Sequence, residues 1–195
     1  MIDRAVSLVA QRLNAHLRAR FGIADDLVVV SSLVDAEGKA PAGVRNRLVV
    51  LVTGITHDTM SRGVQGRFPA LAGRVAVNPV PVHLNVHLML ASSFDPENYL
   101  ESLKILSHAV QYFQVHPVLD HLSAPEMDRS VQQLTFEIEN LDTDATSQLW
   151  GILGGRYMPS VLYRMRTVTI DASALTAEHL VIRGSETRAA AEADR

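Results

Sequence analysis

The feature that most constrains this sequence is a stretch of strict alternation near its middle. Apolar Val80, Val82, Leu84, Val86, Leu88 and Leu90 alternate with Pro81, His83, Asn85, His87 and Met89. Residues two apart share one face of a strand, so the pattern predicts a strand whose apolar face must be covered. Pro79 and Pro81 cannot donate ladder hydrogen bonds, which places the start of this strand at a sheet edge or at its entrance.

Other segments predict the elements that surround this strand. Amphipathic periodicity predicts helices over residues 3–20, 96–113 and 143–153, capped by Asp3, Asp95, and Asp142 or Thr143. The middle helix is predicted to bury Tyr99, Leu100, Leu103, Leu106, Val110 and Phe113. Further strands are predicted over residues 27–33, 47–55, 133–139 and 160–170, and a long Gly- and Arg-rich loop over 56–78. This order predicts an α+β fold with a mostly antiparallel or mixed sheet and helices packed on one face.

Length and composition limit the domain count and the class of partner. A chain of 195 residues fits one core, predicted over residues 1–182, with the charged, alanine-rich segment 183–195 as a flexible or partner-ordered tail. Its net charge of -3 disfavours nucleic acid and anionic membranes as partners. No apolar run is long enough to span a membrane, and cysteine is absent, so we expect synthesis in the cytoplasm and no disulfide.

The sequence shows no pattern that indicates catalysis, a cofactor or a metal. His83 and His87 are the most suggestive pair, but on a strand their side chains lie about 13 Å apart, too far to share one ion. Gly-x-Ser-x-Gly and phosphate-binding glycine motifs do not occur. An enzyme would have to assemble its site from scattered residues such as His57, Asp58 and Arg62. We therefore expect no catalytic, cofactor-binding or metal-binding residues.

The segment from Trp150 to Arg166 combines features that depend on one another. The motif consists of Trp150, Gly154, Gly155, Tyr157 and Pro159, a helix end followed by a glycine turn and the entry to a strand. On that strand, arginine and apolar residues share one face. The residues alone favour a helix-turn-strand corner packed by an aromatic side chain. A strand edge offers unpaired backbone groups, and the candidates for such an edge are residues 160–170 and the segment after Asp171.

Four stretches of the chain resemble the cap, or tail-terminator, proteins of extracellular contractile injection systems. They are Met1-Ile2-Asp3 with the helix to Asn14; Pro81 to Leu90 leading into Tyr99 and Leu103; Leu106 to Gln114; and Leu149-Trp150-Gly151 through Arg166. Together they span residues 1 to about 170, and the last stretch is the most specific.

The resemblance implies a structural protein rather than an enzyme. It implies a tail-terminator-like fold and a homohexameric ring that ends the inner tube and the sheath, with sheath and tube subunits as partners. The candidate residues for the assembly interface are Tyr163, Arg164, Arg166, Val168 and Ile170. The alternatives are a phage tail terminator or baseplate component of similar fold, and a small enzyme of unknown chemistry.

Overall fold

The computed structural model describes residues 1–35, 37–58 and 83–169, with side chains through Thr167, and the backbone of three further short strands. The chain divides into two compact units, Met1–Arg62 with Pro81–Ile170 and Gly63–Val80 with Asp171–Arg195. In the second unit, β3 (Phe68–Pro69), β4 (Arg74–Ala76) and β9 (Glu178–Leu180) form an antiparallel sheet. The predicted boundary between residues 182 and 183 lies outside the described residues and stays a prediction.

The first unit is built on a six-stranded sheet. Its strands are β1 (Val28–Val30), β2 (Arg47–His57), β5 (Leu84–Ser93), β6 (Val118–Asp120), β7 (Val131–Ile138) and β8 (Ser160–Thr169), in the spatial order β1-β2-β5-β8-β7-β6. Only the β1–β2 pair is parallel among the pairs of this sheet. The predicted α+β class and mixed sheet are confirmed.

Three helices cover this sheet: α1 (Ile2–Phe21), α2 (Tyr99–Val115) and α3 (Thr143–Ile152). The first ends at Gly22, whose φ of 67° permits its N–H to donate to the carbonyl oxygen of Arg18. The predicted cap at Asp3 is wrong, because the helix begins at Ile2 and the Asp3 carboxylate accepts from the N-terminal amine at 2.6 Å. The cap at Asp142 is confirmed, since its side chain accepts from the N–H of Ala145.

The start of α2 differs from the prediction. Asp95 does not cap the helix; its carboxylate accepts hydrogen bonds from Arg45 Nε at 3.0 Å and Asn46 Nδ2 at 2.9 Å. A 3₁₀ turn over Pro96–Asn98 intervenes and leaves Tyr99 and Leu100 exposed instead of buried. The buried face consists of Ser102, Ile105, Leu106, Ala109, Tyr112 and Phe113, so only Leu106 and Phe113 of the predicted residues are buried.

The sheet separates two apolar cores. Leu48 and Val50 of β2 pack in the larger core with α1 and α2, whereas Val49 and Leu51 pack in the smaller core with Trp150 of α3. Both faces of the first half of β2 are therefore buried. The two long helices, α1 and α2, lie on the same face of the sheet, as expected. The third helix, α3, lies on the opposite face, because the central strands carry apolar side chains on both of their faces.

Candidate assembly surface

The corner between α3 and β8 brings together the residues of the glycine motif. Trp150 is 4% exposed, and its ring meets that of exposed Tyr157 edge-on at a centroid distance of 5.6 Å. Gly154 and Gly155 have φ values of 105° and 73°, a region that side chains disfavour. A Cβ on Gly154 would lie 2.8 Å from Cγ1 of Val34, whereas a Cβ on Gly155 would meet nothing within 4 Å.

The strand after this corner occupies an interior position of the sheet. Antiparallel partners flank β8 on both sides, β5 from Leu84–Ala91 and β7 from Val131–Ile138. The expectation that residues 160–170 offer a free edge is therefore wrong over the paired residues, because their backbone groups already bond to two neighbours. The alternative edge, after Asp171, lies outside the described residues except for the backbone of β9.

Among the candidate interface residues, Tyr163 is a core residue. It is 2% exposed and its ring lies 4.7 Å from that of Phe113, measured between centroids. Burial raises the pKa of its phenol to about 12, and the hydroxyl has no hydrogen-bond partner in the described part of the chain. In this placement Tyr163 cannot touch another protein unless the core opens, which corrects its assignment to a contact surface.

Arg164 and Arg166 lie on the opposite face of β8, in two cross-strand rows of mainly polar residues. We call these the polar rows: Gly54, His87, Arg164 and Glu137 face one another across four strands, and Thr56, Asn85, Arg166 and Thr135 form the next row. Arg164 Nη2 donates to Glu137 Oε2 at 2.8 Å, and both side chains are partly exposed, by 38% and 45%. Because α3 packs over the apolar end of this face, the polar rows stay accessible.

Arg166 differs from Arg164 in the burial of its partner. Its Nε lies 3.2 Å from Oδ2 of Asp58, a carboxylate that is only 4% exposed. The backbone N–H of Asp58 donates to the carbonyl oxygen of His83 at 2.9 Å, which places Asp58 at the end of the β2–β5 ladder. This cross-strand pair was missed from the sequence, since it depends on the register between strands that are distant along the chain.

The remaining two candidate residues are only partly described. The backbone of Val168 lies opposite Gln133 of β7, and nothing is described of its side chain. Ile170 lies outside the described residues. The contact role of both stays a prediction.

Only two of the three residues named for an enzyme alternative lie in the described part of the chain. His57 is exposed at the end of β2, Asp58 is buried against Arg166, and Arg62 lies outside the described residues. His87 instead bonds through Nδ1 to Glu139 Oε2 at 2.6 Å and through Nε2 to Thr56 Oγ1 at 3.2 Å. Among the described residues, no group of three His, Cys, Asp or Glu side chains could hold a metal. Nor is any described helix long and apolar enough to cross a bilayer.

The comparison with protein families decides where this fold belongs. A family model described as the Pvc16 N-terminal domain matches residues 6–184. The chain belongs to this family. Comparison with curated proteins gave no match. The resemblance predicted from the sequence is thereby confirmed at the level of the family.

Two solved structures share the fold of this Pvc16 N-terminal domain protein. A sheath/tube terminator of an extracellular contractile injection system in the extended state is 15% identical with a TM-score of 0.53, over 95% of this chain and 64% of the other. The cap of the anti-feeding prophage, a tube-terminating cap, is 17% identical with a TM-score of 0.53, over 92% and 59%. The chain thus spans about 60% of the length of these two proteins, and the predicted tail-terminator-like fold is confirmed.

Proposed function

We propose that this protein is a terminator of a contractile injection system, which ends the growth of the inner tube and the sheath. The observation that carries the proposal is the family match over residues 6–184 in a chain whose fold is shared with a sheath/tube terminator and a tube-terminating cap. The role is structural, and the protein acts by binding rather than by catalysis.

The proposed assembly is a homohexameric ring at the distal end of the tube and on the last ring of the sheath. Each subunit of a cyclic ring uses two different patches, one for each neighbour, and a further surface must bind the tube or the sheath. In this proposal the protein is synthesised in the cytoplasm and becomes part of a particle that is then released or anchored.

The polar rows are the surface that we propose for contact with a partner subunit. Arg164 and Arg166 project from a rigid interior strand, and their side chains are 38% and 34% exposed. Arginine presents several donors in a fixed geometry, which suits carboxylates on a neighbour. Replacement of the Arg164–Glu137 ion pair by a pair between Arg164 and a neighbour's carboxylate would cost little free energy, because exposed ion pairs contribute only about 0–1 kcal/mol to stability. The proposal extends this contact along β8 to Val168 and Ile170.

Co-expression with the sheath and tube subunits tests the proposed function. We expect electron micrographs of particles with a narrow length distribution and a ring at one end, and longer, uncapped particles without the protein. Arg164→Gln should reduce capping, and Arg129→Gln is a matched control because Arg129 is an exposed arginine of the β6–β7 connection. A wild-type protein that leaves the particle length unchanged and binds neither subunit would refute the proposal.

A further inference from the structure

In the described part of the chain, the second half of β2 has a strand partner on one side only. β1 pairs with β2 at Leu48–Val50, while β5 pairs along the full strand to His57. Among the described residues no strand continues the sheet beside Val52–His57. An extended edge with unsatisfied backbone groups is a template for another strand, so this stretch differs from the protected strands of the sheet interior.

The register shows which backbone groups face the open side. The N–H of Leu48 donates to Leu27 on the β1 side, whereas the N–H of Asp58 donates to His83 on the β5 side. Along an antiparallel strand, the N–H and C=O groups of successive residues point alternately to one side and to the other. The bulge between Val52 and Gly54 shifts this alternation by one residue. Consequently the N–H and C=O groups of Ile55 and His57 point away from β5.

Apolar surface borders this edge on both faces of the sheet. Val52 and Ile55 lie opposite core residues Leu88 and Val86, on the face of α1 and α2, yet they are 39% and 50% exposed. On the other face a groove of about 360 Å³ lies between α3 and the sheet. Its exposed lining is mainly apolar, from Leu141, Ala145, Leu149, Ile152 and Leu162, and also includes Thr53, Gly54, His87, Glu139 and Gln148. Ile152 is 81% exposed.

From this geometry we propose that the edge of β2 from Val52 to His57 binds an extended segment of a different protein, with apolar side chains on both of its faces. Added strands gain affinity from main-chain hydrogen bonds and specificity from alternate side chains in pockets. Here one set of side chains would contact Val52 and Ile55, and the other would enter the groove beside Ile152. The partner segment is therefore a run of consecutive apolar residues rather than an alternating apolar and polar strand.

Among the described residues, the two outer edges of this sheet do not have that character. In β1, the side chain of Asn14 already bonds the N–H and the C=O of Val28. In β6, Leu119 is already buried in its own core, and the Asp120 carboxylate accepts from the N–H groups of Leu122 and Ser123. A second copy of the chain therefore offers no matching free apolar strand from β1 or β6. This edge deepens the proposed function because it gives the chemistry of a partner. It rests on the proposed function only for the identity of the protein that supplies the bound segment.

Binding of short labelled peptides to the full chain, followed by fluorescence anisotropy, tests the edge directly. The probes are a lysine-flanked peptide with five consecutive valine and isoleucine residues, and one of equal length that alternates valine with threonine; we expect binding of the first and about tenfold weaker binding of the second. Ile55→Pro removes one outward N–H without breaking a bond to β5, and should weaken the first peptide about tenfold. Ile55→Thr, which keeps the N–H, should retain more binding than the proline variant.

Two further variants separate the groove from general surface hydrophobicity. Ile152→Ser should weaken peptide binding. Leu122→Ser should not, because Leu122 is 92% exposed but does not line the groove. Thermal melts of each variant check the fold. Equal binding of both peptides, or a folded Ile55→Pro variant with unchanged affinity, would overturn the proposal, as would wild-type self-association in sedimentation that Ile55→Pro abolishes.

Capping and peptide binding give separate answers. If the wild type caps particles and a folded Ile55→Pro variant caps them equally well, the edge is not the partner site but the terminator role stands. If the wild type does not cap, yet binds the apolar peptide in a manner sensitive to Ile55→Pro, the edge proposal stands and the terminator role fails.

Discussion

Tyr163→Phe offers a quantitative test of the core placement of this tyrosine. The buried hydroxyl has no hydrogen-bond partner in the described residues, so the wild-type protein bears the cost of removing that group from water. A buried, unsatisfied polar group costs about 1–3 kcal/mol. Phenylalanine fills the same space without that group, so we expect the free energy of unfolding to rise by about 1 kcal/mol at pH 7.

Alkaline pH should enlarge the difference between the two proteins. The pKa of Tyr163 is raised from 10.0 to about 12 by burial. The unfolded chain therefore releases this proton first as the pH rises above 10, and the native state loses stability between pH 10 and 12. A shift of this size corresponds to about 2–3 kcal/mol above pH 12 and to about half of that at pH 11, and the phenylalanine variant lacks this contribution. Buried Tyr112, which has a raised pKa for the same reason, is present in both proteins and cancels in the comparison.

Urea unfolding followed by circular dichroism at pH 7 and pH 11 measures both effects. Tyr157→Phe is the matched control, because its ring is 68% exposed and should change neither value. Capping should be unaffected by Tyr163→Phe. A loss of stability at pH 7, or an intact fold that no longer caps particles, would contradict the core placement and return Tyr163 to the contact surface.

Three other substitutions test the corner and the polar rows by thermal or urea unfolding. Gly154→Ala should destabilise the fold by about 1–3 kcal/mol, more than Gly155→Ala, since only the former adds a clash to the strained φ. Asp142→Ala should cost about 1 kcal/mol through the lost helix cap. Arg166→Gln should destabilise more than Arg164→Gln, because its partner carboxylate is buried; equal costs would refute that reasoning.

The sequence predicted those elements whose signals are local. Alternation over Leu84–Leu90 identified the central strand, and Asp142 with the two glycines marked both ends of the α3 corner. The start of α2 was misplaced because Asp-Pro-Glu is also compatible with a 3₁₀ turn. Which one forms depends on Arg45 and Asn46, about 50 residues away along the chain, which bind the Asp95 carboxylate instead.

Strand order was the property that local patterns could not supply. Alternation placed the arginines of β8 on one face, and the structure shows that Tyr163 and Met165, on the other face, lie in the core. It did not show that β5 and β7 lie on either side, because an interior and an edge strand can have the same alternation. The open edge of β2 was missed for a related reason. The length of β1 determines how much of β2 is protected, and that length is set by tertiary pairing.

The polar rows and the open edge of β2 belong to one sheet, which makes their coupling measurable. Arg164 and Gly54 are separated by the single strand β5, and strands are spaced about 5 Å apart, so a partner strand beside β2 lies about 15 Å from the backbone of Arg164, a distance that one partner subunit easily spans. Losses in capping from Ile55→Pro and Arg164→Gln should therefore be non-additive if one partner subunit covers both sites. Additive losses, with each variant impairing the binding of a different subunit, would mean that the edge and the polar rows serve the tube and the sheath separately.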